Sequence, residues 1–216
     1  MKVLHVGATG KVGNHILREL VTRGHDVTVL GRHPEAAAAE YPDVRTVSGD
    51  AFDRTTVEHA AAGCEAIVSS VAMRDPEQFE RSAVELSRVL AAVALAQGAR
   101  WISIGGAGSL EVEPGVQWID RPDFPEASRR ESGGFRAALS ELRLSAPATL
   151  SWTVLSPPPM IDQTASRTGS YRVGADEMMG DLTYGYPTIS APDLAVALVD
   201  ELEQPQHVRQ RFTVAY

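Results

Sequence analysis

The chain of 216 residues is poor in cysteine and in lysine. Its one cysteine, Cys64, excludes an internal disulfide, and its setting in the stretch AAAGCEAIV indicates a small buried residue rather than a nucleophile. Its two lysines, Lys2 and Lys11, both precede the first tyrosine, Tyr41. A tyrosine followed by a lysine, in which the ammonium lowers the pKa of the phenol for acid–base work, is therefore impossible.

Positive charge and long apolar runs are also scarce. The net charge is −8 and the pI is near 5.2, which excludes broad binding to nucleic acid or to an anionic membrane surface. The longest mostly apolar segment, residues 89–99, is too short to cross a bilayer. Because no apolar leader precedes the first glycine loop, we expect a cytoplasmic protein. We also expect a monomer or homodimer that acts on a small molecule.

Short apolar runs and helical patterns alternate along the chain, and 44% of the residues are hydrophobic. Strands are predicted at 2–6, 26–30, 44–50, 65–72, 100–106, 151–159 and 210–216, and helices at 11–24, 55–62, 79–99, about 134–143 and 190–204. This order predicts an α/β fold, a doubly wound parallel sheet of the Rossmann type in a single domain spanning residues 1–216. The irregular segments 107–127 and 160–189 follow strand ends, where open sheets bind ligands.

The stretch VGATGKVGNH, residues 6–15, joins the first strand to the first helix. Its spacing, G-x-x-G-x-x-G, places Gly7 in the turn, Gly10 beside a phosphate and Gly13 where the helix packs closely. Backbone N–H groups and the positive end of the helix then suit a pyrophosphate. An ATP-type phosphate loop is excluded, because Val12 stands where Ser or Thr is required. The remaining alternative is a glycine turn without a ligand.

The residue after the second strand indicates which dinucleotide binds. An NAD site usually carries an acid there, whereas this chain has Gly31, Arg32 and His33. The guanidinium of Arg32 suits the 2′-phosphate of NADP(H), and the alternative is a solvated surface arginine. Asp50 can accept from the adenine amino group, or be a helix cap, a role for which Asp53 is favoured over Asp50. The predicted cofactor-binding residues are Gly7, Ala8, Thr9, Gly10, Lys11, Val12, Gly13, Arg32, His33, Asp50, Ala51, Ser70, Val71, Ala72, Gly105 and Gly106.

Several stretches together resemble a known family. GATGKVG, GDAFD and ISIGGAGSL resemble the atypical short-chain dehydrogenase/reductase superfamily. GGAGSLEVEPG, DRPDFPEA, SWTVLSPPP and RTGSYRVGADEM look like its bacterial NAD(P)H-binding group provisionally named NADH-flavin reductases. More distantly, the chain resembles flavin reductases of the biliverdin reductase B type and redox-sensing repressor-like proteins. The resemblance implies a Rossmann core with a small C-terminal substrate-binding region.

The chain departs from that superfamily at its catalytic pair. Most members use Tyr-x-x-x-Lys, which is impossible here, and the narrower group often has Tyr-Lys where this chain has Ser128 and Arg129. Gly133 and Gly134 disfavour a helix, so the helix there is predicted to begin near Gly134. Hydride transfer to a flavin, a quinone or a similar planar acceptor makes lighter demands on acid–base residues.

Ser109 and Tyr171 are the candidate catalytic residues. Ser109 can donate a hydrogen bond after the fifth strand, where Gly105 and Gly106 leave room for a planar ring; the alternative is a structural turn. Tyr171 can stack on or donate to a substrate, or be an ordinary loop residue. Arg167 and Arg172 can serve an anionic substrate such as a flavin phosphate, or remain solvated.

Other residue types narrow the function further. His5 is expected to be a buried, hydrogen-bonded core residue, and no cluster of metal ligands is predicted. The sequence thus favours an NADPH-dependent oxidoreductase with a flavin, quinone or similar acceptor. A non-catalytic NADP(H)-binding redox sensor is the alternative, and a sugar-type epimerase or isomerase is a weaker one because its chemistry needs the missing tyrosine.

Overall fold

The structure is a computed structural model that describes residues 1–72, 79–180 and 182–216. Its strands are β1 (Lys2–Val6), β2 (Asp26–Gly31), β3 (Arg45–Ser48), β4 (Ala66–Ser69), β5 (Arg100–Ile104), β6 (Glu111–Glu113), β7 (Val116–Gln117), β8 (Trp152–Ser156), β9 (Met160–Asp162), β10 (Arg172–Gly174), β11 (Thr188–Ser190) and β12 (Gln210–Ala215). Its helices are α1 (Lys11–Thr22), α2 (Glu35–Glu40), α3 (Arg54–Ala61), α4 (Phe79–Gln97), α5 (Glu126–Ser145) and α6 (Ala191–Glu203). Short 3-10 turns cover Ala107–Ser109, Trp118–Asp120 and Leu182–Tyr184.

The central sheet has the strand order β3-β2-β1-β4-β5-β8-β12-β10. Strand β1 pairs in parallel with both β2 and β4, and β10 adds an antiparallel edge next to β12. Strands β2 and β3 lie on one side of β1, whereas β4 and the later strands lie on the other side. The strand order therefore reverses at β1, and the switch point of the sheet lies at the carboxyl ends of β1 and β4. Ligands of open α/β sheets bind in that crevice. The predicted doubly wound, mostly parallel sheet is confirmed.

Alternating side chains of the buried strands build two cores, one on each face of the sheet. Val3 packs in the core beneath α1 and α6, whereas its neighbour Leu4 packs in the core beneath α3, α4 and α5. This alternation follows from the two-residue period of a strand, and burial on both faces explains the near-continuous apolar runs in the sequence. Within the described ranges, no helix is both long and apolar enough to cross a membrane.

The two irregular segments predicted after strand ends meet in a smaller lobe. Leu110, Trp118, Phe124 and Met178 form a third buried cluster there. The Met178 N–H donates to the carbonyl of Glu111 at 2.7 Å, which joins the lobe's two parts through the backbone. Residue 181, inside the second predicted segment, lies outside the described residues.

Every predicted helix and strand is present, but α5 begins earlier than predicted. Helix α2 and the short strands β6, β7, β9, β10 and β11 were not predicted. Ser190 caps α6, since its side chain accepts from the Asp193 N–H at 3.0 Å. The prediction that a helix begins near Gly134 is wrong, because α5 begins at Glu126 and continues through both glycines. Tertiary contact outweighs the helix propensity of glycine here. The Cβ that Gly108 lacks would lie 2.5 Å from Ser132 Cβ, so the first half of α5 is packed tightly on that loop.

Candidate functional site

A tight turn of residues 7–10 connects β1 to α1 at the switch point. The Gly10 N–H donates to the Gly7 carbonyl at 3.1 Å, and the Asn14 N–H donates to the Gly10 carbonyl at 2.9 Å. Gly10 is the N-cap of α1, and no side chain of the described residues caps this helix. The first N–H groups of a helix need partners, and they carry a partial positive charge. The turn therefore fits the pyrophosphate of a dinucleotide.

The glycines of this turn are required by close backbone contacts. Gly7 has φ +90°, and a Cβ there would lie 2.8 Å from the carbonyl carbon of Ser70. A Cβ at Gly13 would lie 2.0 Å from the carbonyl oxygen of Gly7. The turn is thus pressed between α1 and the end of β4, as the predicted roles of Gly7 and Gly13 require. Ala8 is buried below it, while Thr9 and Lys11 are exposed and Val12 is half-buried.

A buried histidine supports the turn from below. His5 Nε2 lies 3.0 Å from Ser70 Oγ, which in turn donates to the Gly7 carbonyl at 3.2 Å. Since the Ser70 hydroxyl hydrogen is used on Gly7, the hydroxyl accepts from Nε2–H and the Nδ1 atom is left without a hydrogen. Burial lowers the pKa of His5 to about 3, so the imidazole is neutral near pH 7. The expectation of a buried, hydrogen-bonded His5 is confirmed, and Ser70 is directed at the turn.

Arg32 stands immediately after β2, with an exposed side chain. No hydrogen-bond or ion-pair partner of its guanidinium lies among the described residues. Its carbonyl accepts from Ser48 Oγ at 3.4 Å, which ties this position to β3. His33, the next residue, is also exposed. In this fold, the adenosine ribose of a dinucleotide is recognised at the carboxyl end of β2, and the guanidinium of Arg32 lies at that position.

The acidic residues after β3 have separate tasks. The Asp50 carboxylate accepts from the Phe52 N–H at 3.0 Å and is exposed at the edge of the crevice, beside half-buried Ala51. Asp53 caps α3, since its carboxylate accepts from the Thr55 N–H at 3.1 Å. Asp53 is thus the cap that the sequence favoured, and Asp50 stays a predicted adenine contact.

A narrow apolar cleft opens beside the turn, between the ends of β4 and β5 and the facing sides of α4 and α5. Val71 belongs both to this cleft and to the backbone that touches Gly7, and exposed Ala72 follows it. The cleft is lined by Ser69, Val71, Ala83, Leu86, Ser87, Leu90, Trp101, Ser103, Ile104, Gly105, Phe135, Ala138, Leu139, Leu142 and Val154. The cavity between the helices has a volume of only about 40 Å³. A ligand bound at the turn can therefore reach the mouth of the cleft beside Val71 but not its interior.

The space beside the two glycines after β5 is occupied by protein. A Cβ at Gly105 would lie 2.7 Å from Val154 Cγ1, and one at Gly106 would lie 3.1 Å from the ring of Phe135. The expectation that these glycines leave open room for a planar ring is therefore wrong. Close packing of β8 and α5 on this loop accounts for both glycines. Gly105 still lines the cleft through its backbone.

Ser109 is buried away from the cleft lining. Its hydroxyl accepts from Arg211 Nη1 at 3.0 Å, and Arg211 Nε donates to the Asp176 carboxylate at 2.6 Å. This buried group ties β12 to both parts of the smaller lobe. Burial lowers the pKa of Arg211, and the adjacent Asp176 opposes that effect.

Tyr171 belongs to a strap, residues 167–171, that crosses α1 and α6. Its hydroxyl donates to Asp200 at 2.5 Å, and burial together with that carboxylate raises the pKa of the phenol. Arg167 makes two hydrogen bonds to the buried Glu19, at 2.9 and 3.1 Å. The guanidinium of Arg172 donates to the carbonyl of the C-terminal residue, Tyr216. The fold thus does not bring Tyr171 and Ser109 together, and it gives both predicted substrate arginines protein partners.

Sequence reasoning missed the residues that hold this strap. Asp193 is fully buried and accepts from the N–H groups of Thr168 at 2.9 Å and Gly169 at 2.7 Å, and from the Tyr216 hydroxyl at 2.6 Å. Its spacing from Ser190 indicates a helix start but contains no sign of these distant partners. Phe135, which covers Gly106, was missed because helical periodicity alone does not separate core from cleft.

Cys64 lies apart from these residues. It precedes β4, at the amino ends of the strands, and is half-buried. Burial raises the pKa of its thiol, which favours the unreactive protonated form. In the part of the chain that the structure covers, no three side chains of His, Cys, Asp or Glu converge as metal ligands.

Comparison with known proteins agrees with this geometry. A family model described as NAD(P)H-binding matches residues 7–205. The chain is 36% identical to the uncharacterised protein YwnB of Bacillus subtilis over 99% of this chain and 98% of that protein. A solved structure from Streptococcus pneumoniae, provisionally named NADH-flavin reductase, has a TM-score of 0.86 at 26% identity, covering 100% of this chain and 99% of its own. Another, provisionally named epimerase, from Bacteroides thetaiotaomicron, has a TM-score of 0.88 at 30% identity, covering 100% and 96%.

Proposed function

Because the chain belongs to the NAD(P)H-binding family and has the fold of its reductase-named neighbours, we propose that it is an NADPH-dependent oxidoreductase that transfers hydride to a flavin, quinone or similar planar acceptor. The observation that carries the proposal is the continuity of the glycine turn with the apolar cleft, which meet at Val71. A dinucleotide held by the turn would direct its nicotinamide end toward the mouth of the cleft. We also propose a cytoplasmic location and a monomeric or dimeric state.

The choice of NADPH over NADH rests on Arg32. The proposal assigns its exposed guanidinium to the 2′-phosphate, where an arginine fork makes two charge-assisted hydrogen bonds. His33 adds a second donor nearby, and Asp50 accepts from the adenine. The turn residues from Gly7 to Gly13 hold the pyrophosphate through backbone N–H groups.

The chemistry required of the protein is mainly orientation and exclusion of water. The bound cofactor supplies the hydride. Val71, at the mouth of the cleft, would exclude water from one side of the rings and help to orient them, which favours direct hydride transfer. The catalytic roles predicted for Ser109 and Tyr171 stay predictions. Both hydroxyls have protein partners, Arg211 and Asp200 respectively.

NADPH oxidation by the purified protein, with FMN, riboflavin and a benzoquinone as acceptors, tests the proposal. Turnover is expected with at least one of them, faster with NADPH than with NADH. Val71→Phe narrows the cleft at its junction with the turn and is expected to reduce turnover. Val116→Phe, on the exposed β7, is the matched control and should leave turnover unchanged.

A non-catalytic redox sensor is the second candidate, favoured by the engaged hydroxyls of Ser109 and Tyr171. The same protein distinguishes it. Different thermal shifts with NADP⁺ and NADPH, together with no turnover of any acceptor, would favour the sensor and overturn the reductase. No thermal shift with either cofactor would overturn both.

A further inference from the structure

Among the described residues, none that lines the cleft is an acid suited to proton transfer. Reduction of a flavin or quinone by hydride leaves a negative charge that a proton must neutralise. The described lining consists of aliphatic and aromatic side chains, glycine and three serines, whose hydroxyls are too weakly acidic for this task. His5 is buried under the turn and neutral, so it is not a donor either.

The side of α5 that faces the cleft continues to a carboxyl group. Phe135, Ala138 and Leu142 of α5 line the cleft, and they follow Glu131 at intervals of four, seven and eleven residues. Residues at such intervals lie on one face of a helix. Glu131 is therefore on the cleft-facing side, one turn before Phe135.

The position of Phe135 places Glu131 at the mouth of the cleft. The ring of Phe135 packs on Gly106, just beyond the carboxyl end of β5. Because α5 runs antiparallel to β5, the turn before Phe135 lies above that edge of the sheet, on the side where the acceptor enters. Helix side chains also lean toward the helix N-terminus, which directs Glu131 outward over the mouth.

The carboxyl group of Glu131 has the properties that a proton donor needs. Its side chain is exposed, and no hydrogen-bond or ion-pair partner of it lies among the described residues. Surrounding protein atoms nevertheless raise its pKa, so the acid form persists to higher pH than for a solvated glutamate. Arg129, Arg130 and Arg136 are charged residues close to it along α5, and the elements packed against α5 contribute Glu85, Arg88 and Asp120.

Four of these charged residues, Arg88, Arg129, Arg136 and Asp120, have other partners. Arg88 pairs with Glu141, and Arg136 pairs with Asp120 at 2.7 Å. Arg129 donates to Glu126 at 2.8 Å. None of these contacts involves the Glu131 carboxyl.

We propose that Glu131 is the general acid of this site; the assignment rests on the proposed reductase function. The acceptor takes the hydride with its electron pair, and negative charge develops on a conjugated nitrogen or oxygen. The Glu131 O–H bond breaks and the proton joins that atom, which leaves a carboxylate that solvent reprotonates. In sum, one NADPH and one proton are consumed, and NADP⁺ and the two-electron-reduced acceptor form.

Glu131→Gln tests the assignment, because glutamine keeps the size and polarity but has no proton to give. With a benzoquinone as acceptor, kcat is expected to fall about 100-fold, the low end of what general acid catalysis contributes. In the wild type, kcat falls as pH rises through the pKa of the carboxyl, because the acid must be protonated. This descending limb should vanish in Glu131→Gln and return in Glu131→Asp.

Two comparisons make the test decisive. Glu126→Gln, on the opposite side of the same helix, is the matched control and should keep both kcat and the pH profile. The thermal shift with NADPH should be the same in all variants, which excludes loss of folding or of cofactor binding. If the wild type turns over and Glu131→Gln keeps its kcat and its pH profile, the assignment is overturned while the reductase stands. A wild type without turnover overturns the reductase, and the assignment with it.

Discussion

The carbonyl oxygen of Gly7 lies where the Cβ of any larger residue at position 13 would be, at 2.0 Å from that Cβ. The same oxygen accepts hydrogen bonds from the Gly10 N–H at 3.1 Å and from Ser70 Oγ at 3.2 Å. Gly7 is thus the point at which β1, α1 and the end of β4 meet. The conformation of the turn depends on the absence of a side chain at Gly13.

Gly13→Ala is therefore expected to distort the turn. Relief of the 2.0 Å contact requires α1 to move away from β4, at a cost of roughly 1–3 kcal/mol in unfolding free energy and with loss of pyrophosphate binding. Urea denaturation and the thermal shift with NADPH measure the two effects. A variant that binds NADPH as tightly as the wild type would contradict this account of the turn.

Gly133→Ala should have the opposite effect on stability. Gly133 is inside α5, and its backbone is not in the left-handed region. Apart from its chain neighbours and the adjacent backbone of α5, no atom of the described residues lies within 4 Å of the position its Cβ would take. Alanine in a helix interior is favoured over glycine by about 1 kcal/mol, so the free energy of unfolding should rise by up to that amount. NADPH binding should not change. A loss of stability would show that the glycine is needed for a contact or motion outside the static packing.

Arg32→Ala should separate the two cofactors. Loss of a charge-assisted contact costs about 1.5–3 kcal/mol, so the Kd for NADPH should rise roughly 10- to 150-fold while that for NADH stays unchanged. Titration calorimetry with both cofactors measures this difference. Arg45→Ala is the matched control. Arg45 is also exposed, but it lies at the amino end of β3, whereas Arg32 follows the carboxyl end of β2. Equal weakening of NADPH and NADH would show that Arg32 does not read the phosphate.

His5 should make the protein sensitive to acid. Burial holds its pKa near 3 in the folded state, against about 6.5 when unfolded, so the unfolded chain binds a proton first as the pH falls. The free energy of unfolding is therefore highest above about pH 6.5 and decreases as the pH falls toward 3. Between about pH 7.5 and about pH 5 the loss attributable to His5 is about 2 kcal/mol.

His5→Gln provides the comparison for that prediction. Glutamine keeps a donor for Ser70 and does not titrate, so its unfolding free energy should depend less on pH by the same amount. The relevant quantity is the difference between the two pH profiles, since the substitution itself changes stability at every pH. Parallel profiles would mean that His5 is not protonated on unfolding in this range.

Short-range patterns accounted for most of the fold. Apolar runs such as residues 2–6 and 26–30 are long enough for buried strands, and the helices between them carry their own period and caps, as Ser190 does for α6. The glycine turn directly after the first strand can be predicted from residues that are close together in the chain. At α5 the local signal failed. Gly133 and Gly134 oppose a helix, yet packing of Ser132 on Gly108 and Phe135 on Gly106 outweighs that opposition.

The sequence by itself determined the sheet, the turn and the place of Arg32, because each depends on residues close together in the chain. It also excluded the tyrosine–lysine pair, since both lysines come before every tyrosine. Tertiary structure alone decided the partners of distant polar groups: Ser109 with Arg211, Tyr171 with Asp200, and Asp193 with the strap. Those contacts join segments separated by 24 to 102 positions, and no periodicity or spacing encodes which side chains will meet.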